Sequence, residues 1–222
     1  LHTVLRLIGY AIALALFAWL RWTHIDAILI SPVAQIPIID SKYYLEWGQR
    51  IASGLGLGPH PFFMSPLYPL FISLAGSIGD GFIASTLHLQ TLLSAGTMLL
   101  IGRFTSNRVQ HWAAGPLAAI LFAIYAPAIY YDGVLLSASL ILFLTMVAVT
   151  LLDNPTSPAN GVAGLPGEES SSGSASPGHP TSPAGGAAGL QWWRVLGAGM
   201  AVGLSALARP NALILIPAFA LM

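Results

Sequence analysis

The sequence predicts an all-α, polytopic membrane protein, and three observations carry that reading. Hydrophobic residues make up 55% of the chain and charged residues only 7%, with a mean hydropathy of +0.75. A water-soluble domain carries roughly a quarter charged residues, so this chain lacks the charge to cover a surface in water, and lipid is the solvent that suits it. Apolar stretches recur near the length of about 20 residues that crosses a hydrocarbon core as helix. Most of the charged residues are gathered into two segments between those stretches.

Each apolar stretch can be taken in order. The first runs from about Val4 to Trp22, with Arg6 and Arg21 at its ends in positions from which arginines snorkel. No small-residue cleavage site follows it, so it reads as an uncleaved anchor. The second is Gly81–Gly102, the third Val109–Tyr131 and the fourth Gly133–Leu152, all without a charged side chain inside the apolar part. A fifth begins after Arg194 and holds Arg209. Leu67–Ile78 is apolar but short for a span and is bounded by Pro66 and Gly79, which suits an interfacial or re-entrant helix. If it does not span, Arg6, Arg103, Arg108 and Arg194 fall on one side, the cytoplasmic one by the positive-inside rule. Residues 23–80 then form one large external loop. The module thus covers 1–152. Residues 153–190 are rich in Gly, Pro, Ser and Ala without apolar periodicity and read as a flexible linker. Residues 191–222 open a further helix. The chain starts at Leu1 and stops inside an apolar run, which reads as a fragment of a longer protein.

A formal net charge of zero gives no basic field for nucleic acid. The absence of cysteine excludes disulfides, thiolate metal sites and cysteine nucleophiles from this stretch.

The external loop is where chemistry is expected. It holds Asp26, Asp40, Lys42, Glu46 and Arg50 with Tyr43, Tyr44, Trp47, Phe62, Phe63 and Tyr68. Asp40–Ser53 reads as an amphipathic helix with Asp40 as its N-cap, Glu46 and Arg50 as an i,i+4 pair, and Gly54 as its stop. Capping alone explains Asp40 as well as catalysis does, and an interfacial belt explains most of the aromatics. Residues 54–69 carry glycines and prolines in a shaped, irregular segment suited to a pocket wall. His60 in that segment is a metal-ligand candidate on weak grounds, and His88 reads as a polar interhelical contact. Asp132 lies between the third and fourth stretches, either a turn residue before Gly133 or a second cavity carboxylate. Arg209 is an ionisable group within an apolar run, a functional signal in itself. It stands about 15 residues, roughly 22 Å of helix rise, beyond Arg194, toward the outer side. Its alternatives are snorkelling or pairing with Asp132.

The run D-S-K-Y-Y-L-E-W-G-Q-R-I-A-S-G after the first span, followed by F-F-M-S-P-L-Y-P-L, I-Y-Y-D-G-V-L-L-S and G-L-S-A-L-A-R-P-N-A-L-I-L-I-P, resembles the GT-C fold membrane glycosyltransferases of the protein mannosyltransferase and aminoarabinose transferase type. The resemblance covers most of the chain outside the linker. It implies a GT-C-like bundle, about five of whose transmembrane helices lie in this stretch, with juxtamembrane helices in the first external loop. It implies an inverting sugar transfer from a polyprenyl-phosphate donor to a hydroxyl of a protein, lipid or glycan acceptor, at the outer face of a bacterial inner membrane. Asp40 matches the family's essential loop aspartate, as general base or as orienter of a divalent metal. Arg209, with Lys42 as a second choice, would meet the leaving phosphate. Tyr43, Tyr68, His60 and Asp132 are the further cavity candidates. Ser41, Met64-Ser65 and Ala138 stand where some relatives carry acidic residues, which leaves the metal open. A non-catalytic transporter subunit or scaffold is the competing expectation.

Overall fold

The computed structural model describes residues 1–58, 64–79, 81–109, 111–153 and 192–208. Every regular element among them is a helix: α1 His2–Leu29, α2 Pro32–Gln35, α3 Ile39–Ala52, α4 Leu67–Ile78, α5 Phe82–Arg108, α6 Ala114–Ala123, α7 Ala126–Asp132, α8 Ala138–Leu152 and α9 Trp192–Ala208. The expected linker lies outside the described residues except for Asp153, as do His60 and Arg209.

Among the described residues two helices, α1 and α5, are long and apolar enough to cross a membrane, and a third crossing exists if α6 and α7 count as one bent span. That is fewer than the five expected. The third apolar stretch is not one straight helix: the chain bends by 56° between α6 and α7. Pro127 is the local cause. It has no N–H to continue the α6 ladder, and the chain breaks at Tyr125, which is extended; Pro127 is tolerated in the first turn of α7, where that N–H would have no partner. The fourth stretch loses its beginning to the turn after Asp132, leaving 15 residues in α8. At 1.5 Å per residue that is about 22 Å, short of a ~30 Å core. The short Leu67–Ile78 helix forms with the expected bounds, and α3 ends at Ser53 with Gly54 at a φ of +80°, where glycine avoids the Cβ clash.

The helices run back and forth between two ends. At one end the His2 and Trp112 rings stack with centroids 6.3 Å apart, tying the start of α1 to the α5–α6 connection. At the same end Arg108 of α5 meets Asp153 after α8 at 2.5 Å, and Arg194 of α9 donates to the Asp153 carbonyl. The opposite end carries the last turns of α1, the start of α5, the α7–α8 turn, α3 and α4. Arg6, Arg103, Arg108 and Arg194 thus share one end, as the charge pattern predicts for a Leu67–Ile78 segment that does not cross.

Packing relies on small residues, which let helix backbones approach in an apolar solvent where there is no water to expel. Ala13, Phe17, Met98, Ala119, Phe122 and Ala123 join α1, α5 and α6, and Ala148, Ala198, Ala201 and Val202 join α8 to α9. At the crossing of α5 and α6, a Cβ on Gly115 would stand 2.6 Å from the Gly102 carbonyl oxygen, so only glycine fits. The outward faces are apolar: Leu7, Ile12, Trp19, Leu92, Leu117 and Met200 are all exposed. A water-soluble bundle puts charge there, whereas lipid contact needs none.

Candidate functional site

The segment expected to be external is built on α3 and α4. Tyr44 and Trp47 turn one face of α3 inward, and Gly48 lets Ile72 of α4 come close. Tyr44 meets Tyr68 edge-on with ring centroids 5.0 Å apart, and Tyr68 stacks on Phe71. The Trp47 indole donates to the Leu57 carbonyl at 3.0 Å, fastening the chain that leaves the helix.

Asp40 is not the N-cap. The capping position is Ile38, and Asp40 sits in the first turn of α3, where a carboxylate faces the positive end of the helix dipole. It is half-buried, and among the described residues nothing bonds its carboxylate. The residue before it, Ile39, has a φ of +51°. A β-branched side chain is strained in the left-handed region, by about 1–3 kcal/mol, and such strain gathers at working sites. Ile39 is 80% exposed, so its side chain packs on little else in the protein. Ile39→Gly should therefore raise the unfolding midpoint in detergent, by the equivalent of about 1 kcal/mol. A drop of that size instead would show that Ile39 anchors the segment through its side chain.

Lys42 pairs with Glu46 at 3.8 Å, with both side chains about two-thirds exposed, in place of the expected Glu46–Arg50 pair. Exposed i,i+4 pairs contribute little, so Lys42 remains available to an anion. Tyr43 is at the surface and its ring meets Tyr44 and Trp47. Tyr68 is fully buried and is part of the packing between α3, α4 and α5. His88 is exposed, with its ring 6.2 Å from Trp22 of α1.

The structure pairs Asp132 with an arginine other than the one the sequence reading considered. It ends α7 and is 1% exposed, with Arg21 of α1, 0% exposed, donating from Nε to its Oδ2 at 2.6 Å. Ser139 of α8 donates to Oδ1 at 2.7 Å. The Arg21 Nη1 also donates to the Ala123 carbonyl at 3.1 Å, and the guanidinium lies 4.6 Å from the centre of the Phe17 ring. Arg21 is thus no snorkelling flank of a span. It is the partner of Asp132, a pairing that the sequence reading weighed only as an alternative role for Arg209.

Beside this pair, Gln90 of α5 donates through Nε2 to the carbonyls of Asp132 at 3.1 Å and Val134 at 3.0 Å, with Tyr131 O at 3.4 Å. Its Oε1 accepts from the Tyr68 hydroxyl. A single buried amide thereby ties α4 and the α7–α8 turn to α5. Ser41, next to Asp40, shares a small cavity with Gly133 and Val134, next to Asp132. The start of α3 therefore lies beside the α7–α8 turn whose carbonyls Gln90 holds. Among the described residues no group of three or more histidine or carboxylate side chains gathers as a metal site would require.

Two signals in the sequence mark this core. Ala13, Phe17, Arg21 and Ile25 are the buried residues of α1, a stripe at i,i+4 spacing that contains the arginine. Thr86, Gln90, Ser94 and Thr97 make a polar stripe along α5.

No protein-family model, curated protein or solved structure matches the chain at a significant level.

Proposed function

We propose that the chain belongs to an integral membrane glycosyltransferase that moves a sugar from a polyprenyl-phosphate donor to an acceptor hydroxyl. The observation that carries this reading is the contrast between its two best-placed carboxylates. Asp132 is buried and neutralised by Arg21, whereas Asp40 is half-buried in the first turn of an interfacial helix and bonded by no described residue. The sequence resemblance assigns the chemistry to Asp40, and the strained backbone at Ile39 supports a site there.

In this reading the Asp40 carboxylate takes the proton of the acceptor hydroxyl as its oxygen bonds to the anomeric carbon. The bond from that carbon to the phosphate oxygen breaks, the polyprenyl phosphate leaves as an anion, and the sugar inverts. Lys42, one turn into α3, faces the leaving charge together with Arg209 from outside the described residues. The site faces the side opposite the arginine-rich end, the outer face if the positive-inside rule holds.

The test uses the full-length protein in membranes supplied with labelled polyprenyl-phosphate sugars. Asp40→Asn keeps the shape and removes the base, so transfer should fall at least about 100-fold with expression and unfolding midpoint unchanged. Undiminished transfer would remove Asp40 from the chemistry. No transfer by the wild type with any donor favours the non-catalytic scaffold, in which the Arg21–Asp132 core is purely structural.

A further inference from the structure

At the arginine-rich end, opposite the proposed chemistry, a cavity of about 390 Å³ opens between the last turns of α5, the end of α8 and the start of α9. Its polar lining comes from Arg103, Asn107, Thr150, Asp153, Trp193 and Arg194. The charges around it do not cancel. The carboxylate is 3% exposed and is held by Arg108 at 2.5 Å, and its backbone carbonyl is held by Arg194. Thr150 is likewise occupied, donating to the Met146 and Val147 carbonyls. Arg103 is exposed and forms no ion pair or hydrogen bond with the described residues, and Asn107 beside it is equally open. Among the described residues the cavity therefore presents a guanidinium, a side-chain amide and the remaining Arg194 donors with no acceptor of their own.

The occupant is indicated by where these donors stand. Leu100 and Leu151 form the apolar wall of the cavity on the bundle side. Trp193 is 51% exposed at its rim, and an indole at a helix end beside apolar faces sits at headgroup depth. Arginine-lined pockets between membrane helices suit anionic headgroups, and the planar guanidinium matches phosphate oxygens two at a time. The volume lies within the range of small-molecule sites.

We propose that this cavity is a binding site for the phosphodiester headgroup of an anionic phospholipid, with Arg103 as its principal charge and Asn107 and Arg194 as secondary donors. The acyl chains then run along the exposed apolar faces beside Leu100 and Leu151. This site stands independently of the glycosyltransferase reading.

The experiment is native mass spectrometry of the full-length protein, released from detergent with phosphatidylglycerol or with phosphatidylcholine. The wild type should retain phosphatidylglycerol in preference. Arg103→Gln should weaken that retention about fivefold, the ~1 kcal/mol that one arginine contributes toward an anionic membrane surface, and leave phosphatidylcholine unaffected. Arg6→Gln removes a cation from the same end but outside the cavity and should change retention much less. Equal losses in the two variants would reduce the effect to the general field of that end and overturn the site. So would unchanged retention in Arg103→Gln. Inorganic phosphate protecting the protein against heat as well as phosphatidylglycerol does would overturn the lipid as its occupant.

Discussion

Asp132→Ala should destabilise the protein by about 3–5 kcal/mol, the cost of stranding a buried charge. Arg21 is wholly enclosed, and its Nε would lose the carboxylate it donates to, while Ser139 would lose its acceptor as well. In lipid no water replaces them. The ion pair joins distant parts of the chain, since Arg21 of α1 lies 111 positions from Asp132 of α7, which Ser139 of the following helix α8 also binds. The loss therefore should appear as a cooperative drop in the unfolding midpoint in mild detergent. Arg21→Met combined with Asp132→Leu should recover most of it, because an apolar pair of similar volume avoids desolvation altogether. The cycle separates a paired structural core from a catalytic carboxylate. If Asp132 instead worked on a substrate, Asp132→Ala would cost activity at nearly full stability. A midpoint within about 1 kcal/mol of wild type would dismiss the ion pair as a stabilising element.

Much of the architecture was legible because it rests on local signals. Proline and glycine mark the bounds of α4, and the aromatic spacing of Tyr44 and Trp47 marks the inward face of α3. The arginines at positions 6, 103, 108 and 194 share one end in space as they do in the charge pattern. What escaped is non-local. The bend after α6 needs the extended conformation of Tyr125 ahead of Pro127, which an apolar run read by length alone conceals. Arg21 looks like a flanking residue until α1 is seen to continue to Leu29, which moves it from the edge of a helix to its interior. Its partner lies 111 positions away, and no spacing rule connects residues at such a separation. Asp132 was read either as a turn residue before Gly133 or as a second cavity carboxylate, and an ion pair for it was weighed only with Arg209. For Asp40 the helix itself was legible. Its first turn was not, because the positive φ at Ile39 violates the propensity rule from which a cap is predicted.

Gln90→Leu should be the other severe substitution, at about 3 kcal/mol. The side chains are similar in volume, so the loss is of hydrogen bonds. Gln90 offers two amide hydrogens and one acceptor, and it uses them on the Asp132 and Val134 carbonyls and on the Tyr68 hydroxyl. Leucine leaves those groups buried without partners, each at about 1–3 kcal/mol before the turn relaxes. Tyr68→Phe is the informative control, because it removes the hydroxyl along with its bond and should cost only about 1 kcal/mol. In the double variant the Tyr68 hydroxyl is no longer stranded, so the two losses should sum to less than their parts. Hydrogen exchange gives the local reading. The α7–α8 turn, at 133–137, loses its tether to α5 and should exchange faster in Gln90→Leu. Faster exchange should extend to α3, which reaches the bundle through its packing on α4 and Tyr68. If α3 stays protected while the turn opens, the Asp40 segment is held by its aromatic contacts alone, and the polar core does not position it.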